Sequence, residues 1–154
     1  MGLRESAERF ETEIPGIHVK YGRSENALEV RYNVFVEEQQ IDEELDRDGE
    51  DQNAVQFTYY VDSKPVGTVR LRQESDKTGK LERLSVISEY RGQGIAKKLM
   101  SEFEDFCREV RINKIIMSAQ KDVEGFYKSL NYSSYGEEYE EVGIPHIKMK
   151  KNLD

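Results

Sequence analysis

The sequence predicts an α+β domain with a mixed, mostly antiparallel central sheet flanked by helices. Three observations carry that expectation. Strand-like and helix-like segments follow the order β, α, β-β-β, α, β, α, β-β. Residues 95–110 hold the clearest helical period, and a run of β-rich segments stands directly before them. The 154 residues fit one compact domain, and no repeat or linker divides them.

Taken in order, residues 1–15 read as a polar N-terminal arm, loose or with a short helix. From Gly16 to Tyr21 apolar and polar residues alternate, with Ile17, Val19 and Tyr21 on one side, which is a strand signal. Ser24 is a helix N-cap, and Ala27, Leu28, Arg31, Tyr32, Val34 and Phe35 follow at helical spacing, so one helix is expected over 24–38. Residues 37–51 are dense in Asp and Glu, with Arg47 as the only cation among them. Like charges at that density disfavour a packed element, so a solvated loop or short turns are expected, with steering of a cationic amine as a second reading.

Residues 55–61 and 65–72 are β-rich and joined by Asp62-Ser63-Lys64, a hairpin signal. A second turn, 74–79, leads to a strand over 81–87. Ile95, Leu99, Phe103, Phe106, Cys107 and Val110 form one helical stripe, which makes Cys107 a core residue rather than a nucleophile. A strand over 114–118, a helix over 123–130 and strands near 132–140 and 145–150 complete the chain.

Composition removes several classes. Lys and Arg total 23 against 31 Asp and Glu, a net charge of −8, which argues against nucleic acid as the main partner. A single cysteine allows no internal disulfide. No stretch approaches the about 20 apolar residues of a membrane helix. No apolar leader is visible, so a cytoplasmic location is expected by elimination. Met1-Gly2-Leu3-Arg4-Glu5-Ser6 matches the myristoylation pattern, but an ordinary start is the simpler reading. The acidic stretch is no calcium loop: counted from Asp46, the required glycine falls at Asp51 and the closing glutamate at Phe57.

The informative segment is Leu81-Glu82-Arg83-Leu84-Ser85-Val86-Ile87, then Ser88-Glu89-Tyr90, then Arg91-Gly92-Gln93-Gly94-Ile95-Ala96-Lys97. Glycines at 92 and 94 let the backbone turn tightly and approach a ligand. Their N–H groups then stand at a helix start, where an anion is welcome. Arg91, Lys97 and Lys98 add positive charge. A diphosphate suits such a loop. The Walker pattern is absent, and the dinucleotide pattern Gly-x-Gly-x-x-Gly fails at Lys97.

Arg91-x-x-Gly94-x-Ala96 between a strand and a helix resembles the signature of the GNAT N-acetyltransferase superfamily, Arg/Gln-x-x-Gly-x-Gly/Ala. Gly125-Phe126-Tyr127-Lys128-Ser129-Leu130-Asn131-Tyr132 resembles a second family segment, with Asn131 in place of its glycine. The stretches 31–39 and 143–149 look like the bacterial ElaA/YjcF-like branch. The resemblance implies acetyl-CoA as co-substrate, no metal, and a small-molecule amine as acceptor. It implies that Leu84, Ser85 and Val86 pair with the pantetheine arm on a splayed strand. Arg91, Gly92, Gln93, Gly94, Ile95, Ala96 and Lys97 would hold the pyrophosphate, and Phe126 and Tyr127 would flank the cofactor. Gln56 stands where the branch often carries a histidine.

Acyl transfer from a thioester to an amine needs a base for the ammonium, donors for the carbonyl and an acid for the departing thiolate. By the resemblance Tyr127 is the acid, and the N–H of Leu84 or Val86 polarises the carbonyl. For the base, Glu82 and His146 stand open, each against a structural reading: Glu82 as a strand glutamate paired with Arg72 or Arg83, His146 as a structural histidine. His18, on the polar side of the first strand, carries no role. Glu38 and Gln39 end the first helix, and the resemblance implies that this end borders the acceptor site. A degenerate, non-catalytic CoA-binding sensor or partner subunit would keep the same loop; Tyr127 argues for an enzyme. The edge left by the C-terminal strands leaves a homodimer open.

Overall fold

The computed structural model describes residues 2–10 and 16–153. Seven strands form one sheet in the order β1-β2-β3-β4-β5-β7-β6. They are β1 (Ile17–Tyr21), β2 (Val55–Val61), β3 (Lys64–Gln73), β4 (Thr78–Val86), β5 (Lys114–Gln120), β6 (Ser133–Glu141) and β7 (Ile144–Asn152). All neighbours are antiparallel except β4 and β5, which run parallel. The expected mixed, mostly antiparallel sheet is therefore present.

The helices are α1 (Leu3–Phe10), α2 (Glu25–Arg31), α3 (Glu43–Asp46), α4 (Ile95–Glu109) and α5 (Glu124–Ser129). Of the two readings of the N-terminal arm, the short helix is present, and α1 lies on the core: Ala7 is buried and the Phe10 ring meets Phe106 edge-on at 5.3 Å. The rest of that arm, 11–15, lies outside the described residues. Ser24 caps α2 through its Oγ, which accepts from the Ala27 N–H at 3.2 Å. The single helix expected over 24–38 is two segments. Past Arg31 the chain widens into a π-helical stretch, Tyr32–Glu38, a form that clusters at functional sites.

On one face of the sheet, Phe57, Val69, Leu71, Leu81, Ile115, Met117 and Met149 form a core with Leu99, Phe103 and Phe106 of α4. On the other face the same strands carry Gln56, Thr58, Thr68, Arg70 and Glu82, covered by α2 and the acidic segment. Two turns take the left-handed backbone that their residues suit. Asp62 and Ser63 both take positive φ between β2 and β3, and Asn131 takes φ +73 after α5, where the usual residue is glycine.

Candidate active site

The site begins where the parallel pair comes apart. β4 and β5 pair from Thr78 with Lys114 to Leu81 with Met117. Beyond that, β4 runs on to Val86 against β3, while β5 runs on to Gln120 against β7. A bulge in β4 accompanies the parting. The register with β3 slips between Glu82 opposite Arg70 and Ser85 opposite Thr68, and Arg83 sits there at φ +60. The gap between the strands opens into a cleft of about 740 Å³, a size suited to a small ligand. Leu84, Ser85 and Val86 line one wall, and Met117, Ser118, Ala119 and Gln120 line the other.

The glycine loop closes one end. Gly92 and Gly94 hold φ +78 and +80, conformations that cost a side chain, and the space beside each is open. No acceptor binds the N–H groups of Gly92, Gln93 or Gly94 among the described residues. The first turn of α4 adds those of Ile95, Ala96 and Lys97. Arg91 and Ala96 line the cleft, and Gly92, Gln93, Gly94 and Lys97 lie exposed beside them. Ile95 turns its side chain into the core, so only its N–H faces outward uses. This arrangement of free donors at a helix N-terminus fits a diphosphate.

Arg91 is already engaged. Its Nε donates to the Val86 carbonyl at 2.9 Å, and its two other nitrogens grip Glu38 at 2.7 and 2.5 Å. That double hydrogen bond holds the Glu38 carboxyl below its usual range. Gln39 crosses the cleft to Gln120, each side-chain amide donating to the other at 2.8 and 3.4 Å. Both residues therefore stand at the cleft, as expected, and both are tied to it.

Tyr127 reaches the cleft from α5 with its ring buried against Phe126 and Tyr132. Burial pushes its phenol well up, so it keeps its proton at neutral pH. His146 lies on β7 beside Gln120, and its ring is buried. Its Nδ1 is 2.7 Å from the Ile144 carbonyl, which can only accept, so Nδ1 carries the hydrogen. Nε2 is left as the basic nitrogen, 3.7 Å from Glu141 Oε2.

Glu82 lines the same cleft, but its oxygens are taken. It accepts from Arg72 at 2.6 and 3.0 Å and from Arg70 at 2.8 Å. Burial alone would raise its carboxyl; the Arg72 hydrogen bonds and the Arg70 charge outweigh that and hold it low. The partner is Arg70 with Arg72, not Arg83, and the side chain is largely covered.

The acidic segment is not the solvated loop expected of it. Arg31 binds Asp46 and Asp51, with Nη1 to Asp51 Oδ1 at 2.6 Å. Arg70 binds Asp48 and Asp51 as well as Glu82, and Arg83 binds Asp46 and Asp48. Asp46 and Asp51 are buried, and Gln56 donates to Asp51 at 3.0 Å. Buried charges persist only when paired, and three arginines from outside the segment, Arg31, Arg70 and Arg83, supply the partners of Asp46 and Asp51. Sequence reading missed Arg31, Arg70 and Arg83. The one local signal was a charged residue on a buried position of each element, such as Arg31 on the apolar side of its helix.

A sheet that splays beside a strand–glycine loop–helix unit defines the class of acyl-CoA-dependent N-acyltransferases. Residues 20–153 match the acetyltransferase (GNAT) domain family, and the chain belongs to it. It is 34% identical over 130 residues to the uncharacterized protein YyaT of Bacillus subtilis, covering 82% of this chain and 87% of that one. It is also 34% identical over 128 residues to the uncharacterized N-acetyltransferase YjcF of the same organism, covering 82% and 91%. Among solved structures it resembles Escherichia coli ElaA, with a TM-score of 0.78 at 26% identity over 88% of this chain and 98% of that one. An acyl-CoA N-acyltransferase from Pseudomonas aeruginosa shares the fold, with a TM-score of 0.75 at 24% identity over 88% and 97%. The chain is thus an acetyltransferase of the GNAT type, related to YjcF and ElaA.

Proposed function

We propose that this protein transfers the acetyl group of acetyl-CoA to the amine of a small molecule bound in the same cleft. The observation that carries the reading is the gap between β4 and β5, ending on the free N–H groups of 92–97. In this reading the diphosphate lies on those donors and the pantetheine runs along Leu84, Ser85 and Val86 as an added strand. The N–H of Leu84 or Val86 polarises the thioester carbonyl.

The acceptor ammonium gives one proton to His146 Nε2. The freed nitrogen attacks the carbonyl carbon and the C–N bond forms; as the C–S bond breaks, the nitrogen loses its second proton to solvent. The thiolate takes a proton from the Tyr127 hydroxyl, which His146 and solvent restore. Products are the amide and the CoA thiol. His146 is assigned the base because its Nε2 lone pair is free and Glu141 stabilises the imidazolium that forms. Glu82 is assigned to structure, because a carboxylate held by Arg70 and Arg72 is a weakened base.

A thiol-release assay with acetyl-CoA across a panel of amines tests this. Release above the hydrolysis rate with at least one amine is expected. Release at the hydrolysis rate with every amine would favour a CoA-binding sensor on the same fold.

A further inference from the structure

Among the described residues five large apolar side chains stand exposed: Tyr32, Leu45, Val123, Tyr135 and Val142. Scattered singly, such residues need no explanation. Three of them converge on the one cleft: Leu45 at 54%, Val123 at 41% and Val142 at 44% exposure. They come from α3, from the turn before α5 and from the β6–β7 turn, elements far apart in sequence. Phe35 and Ile41 line the cleft beside them.

Val142 is there at a conformational cost. It takes φ +49, with Gly143 at +75, in the two-residue turn that joins Glu141 to its strand partner Ile144. Asn or Asp suits the first position of such a turn, and a β-branched residue is strained in it. Strain held at the rim of a cleft is a mark of use.

The polar groups of the cleft are, by contrast, already matched to one another. The Gln39 and Gln120 amides bond each other, and the Ser118 and Tyr139 hydroxyls do the same. Six carboxylates line the cleft: Glu38, Asp46, Asp48, Glu82, Asp122 and Glu141. Arginines hold the first four. Among the described residues, Asp122, before α5, and Glu141, next to His146, have no arginine or lysine partner. Lys80 leans on Glu82 at 3.7 Å.

We infer that the acceptor is a primary amine on an apolar body, an arylalkyl- or alkylamine with one positive charge. Its ammonium sits between Glu141 and His146, and its body covers the apolar rim at Leu45 and Val142. A polyamine would need several free carboxylates, and the arginines have taken four of the six. An amino sugar would need unmatched donors and acceptors, and the amides and hydroxyls leave few. A free amino acid would need an open cation, and Arg83 and Arg91 are engaged. This inference rests on the acyl-transfer reading above.

The test compares 2-phenylethylamine and hexylamine with spermidine, glucosamine and glycine in the thiol-release assay. It adds the variant Val142→Asn and follows acetyl-CoA binding by calorimetry on the same protein. The two apolar amines are expected to exceed the others in kcat/KM by about tenfold or more. Val142→Asn is expected to melt at a higher temperature, because the turn relaxes, and to raise KM for 2-phenylethylamine by about tenfold. An equal or better rate with spermidine, glucosamine or glycine overturns the inference. So does an unchanged KM in Val142→Asn. No acceptance of either apolar amine by protein that binds acetyl-CoA overturns it too, and leaves acyl-CoA binding standing. Failure to bind acetyl-CoA removes the acyl-transfer reading itself.

Discussion

On the α4 side of the sheet, Phe57, Val69 and Leu71 pack with Leu99, Phe103 and Phe106. One residue along the same strands, on the α2 side, stand Gln56, Thr68 and Arg70. Both sides are buried, yet one is closed by hydrocarbon and the other by ion pairs. The apolar side needs only volume and shape, so it yields stability at any pH. The charged side fixes directions. Arg31, Arg70 and Arg83 hold α3 and the segment after it over the sheet, and they grip the bulge that accompanies the parting of β4 from β5. The difference suggests that the first face makes the fold and the second shapes the cleft.

Removing one member of each face separates the two by their pH dependence, and these are the largest effects expected. Arg70→Met leaves Asp48, Asp51 and Glu82 short of a partner and should cost roughly 3–5 kcal/mol at neutral pH. Phe103→Ala should cost about the same through its cavity, roughly 3–5 kcal/mol. Denaturant unfolding near pH 3 tells them apart. The Arg70 penalty should shrink as the carboxyls protonate, and the Phe103 penalty should not. Equal behaviour of the two variants at both pH values would break the comparison.

The wild-type protein should show the same asymmetry. Burial opposes ionisation of Asp48, Asp51 and Glu82, but their arginine partners win and hold all three carboxyls low. Groups depressed in the folded state add stability that is fully present above their unfolded values, about 4, and lost as pH falls through the folded ones. The melting temperature should therefore stay level from neutral pH to about 5 and fall steeply below about 4. A level profile down to pH 2 would show that the buried ion pairs contribute nothing net.

Tyr127 enters the cleft from the apolar side, so it sharpens the comparison by kinetics. Tyr127→Phe should lower kcat by about 100-fold while the melting temperature barely moves. A loss of stability without that loss of rate would make the ring a core residue only. The smallest effect is expected at Glu38, the one cleft carboxylate whose arginine belongs to the glycine loop. Glu38→Gln frees Arg91 and should tighten CoA binding by up to about fivefold, the range of an exposed ion pair. Weaker binding in that variant would mean that Glu38 supports the loop rather than competes for it.

The same contrast explains what could be read from residues alone. The stripe Ile95, Leu99, Phe103 and Phe106 announces α4 because its period is local, and its observed span is Ile95–Glu109. The Asp62-Ser63 turn and the glycine loop are local as well. The ion network is not. Arg31 meets Asp51, and Arg83 meets Asp46, across long stretches of intervening chain, so the acidic segment looked solvated. The π-helical widening at 32–38 leaves no mark in the residue pattern, because the helical period runs through it unbroken. At the site, Arg91, Gly92 and Gly94 were legible as a loop, while the proposal of His146 over Glu82 as base rests on the arginines beside one and the carbonyl beside the other.

We propose that acyl-CoA lies in the gap between β4 and β5 with its diphosphate on the loop at 91–97. Calorimetric titration of acetyl-CoA into the protein and into Gly94→Glu tests it most directly. Gly94 holds φ +80 with open space beside it, so a glutamate there both strains the turn and sets a negative charge where the diphosphate belongs. Saturable binding of one acetyl-CoA per chain, lost in Gly94→Glu while the variant remains folded, is the predicted result. Absence of binding to the wild-type protein, or undiminished binding to the variant, would contradict it.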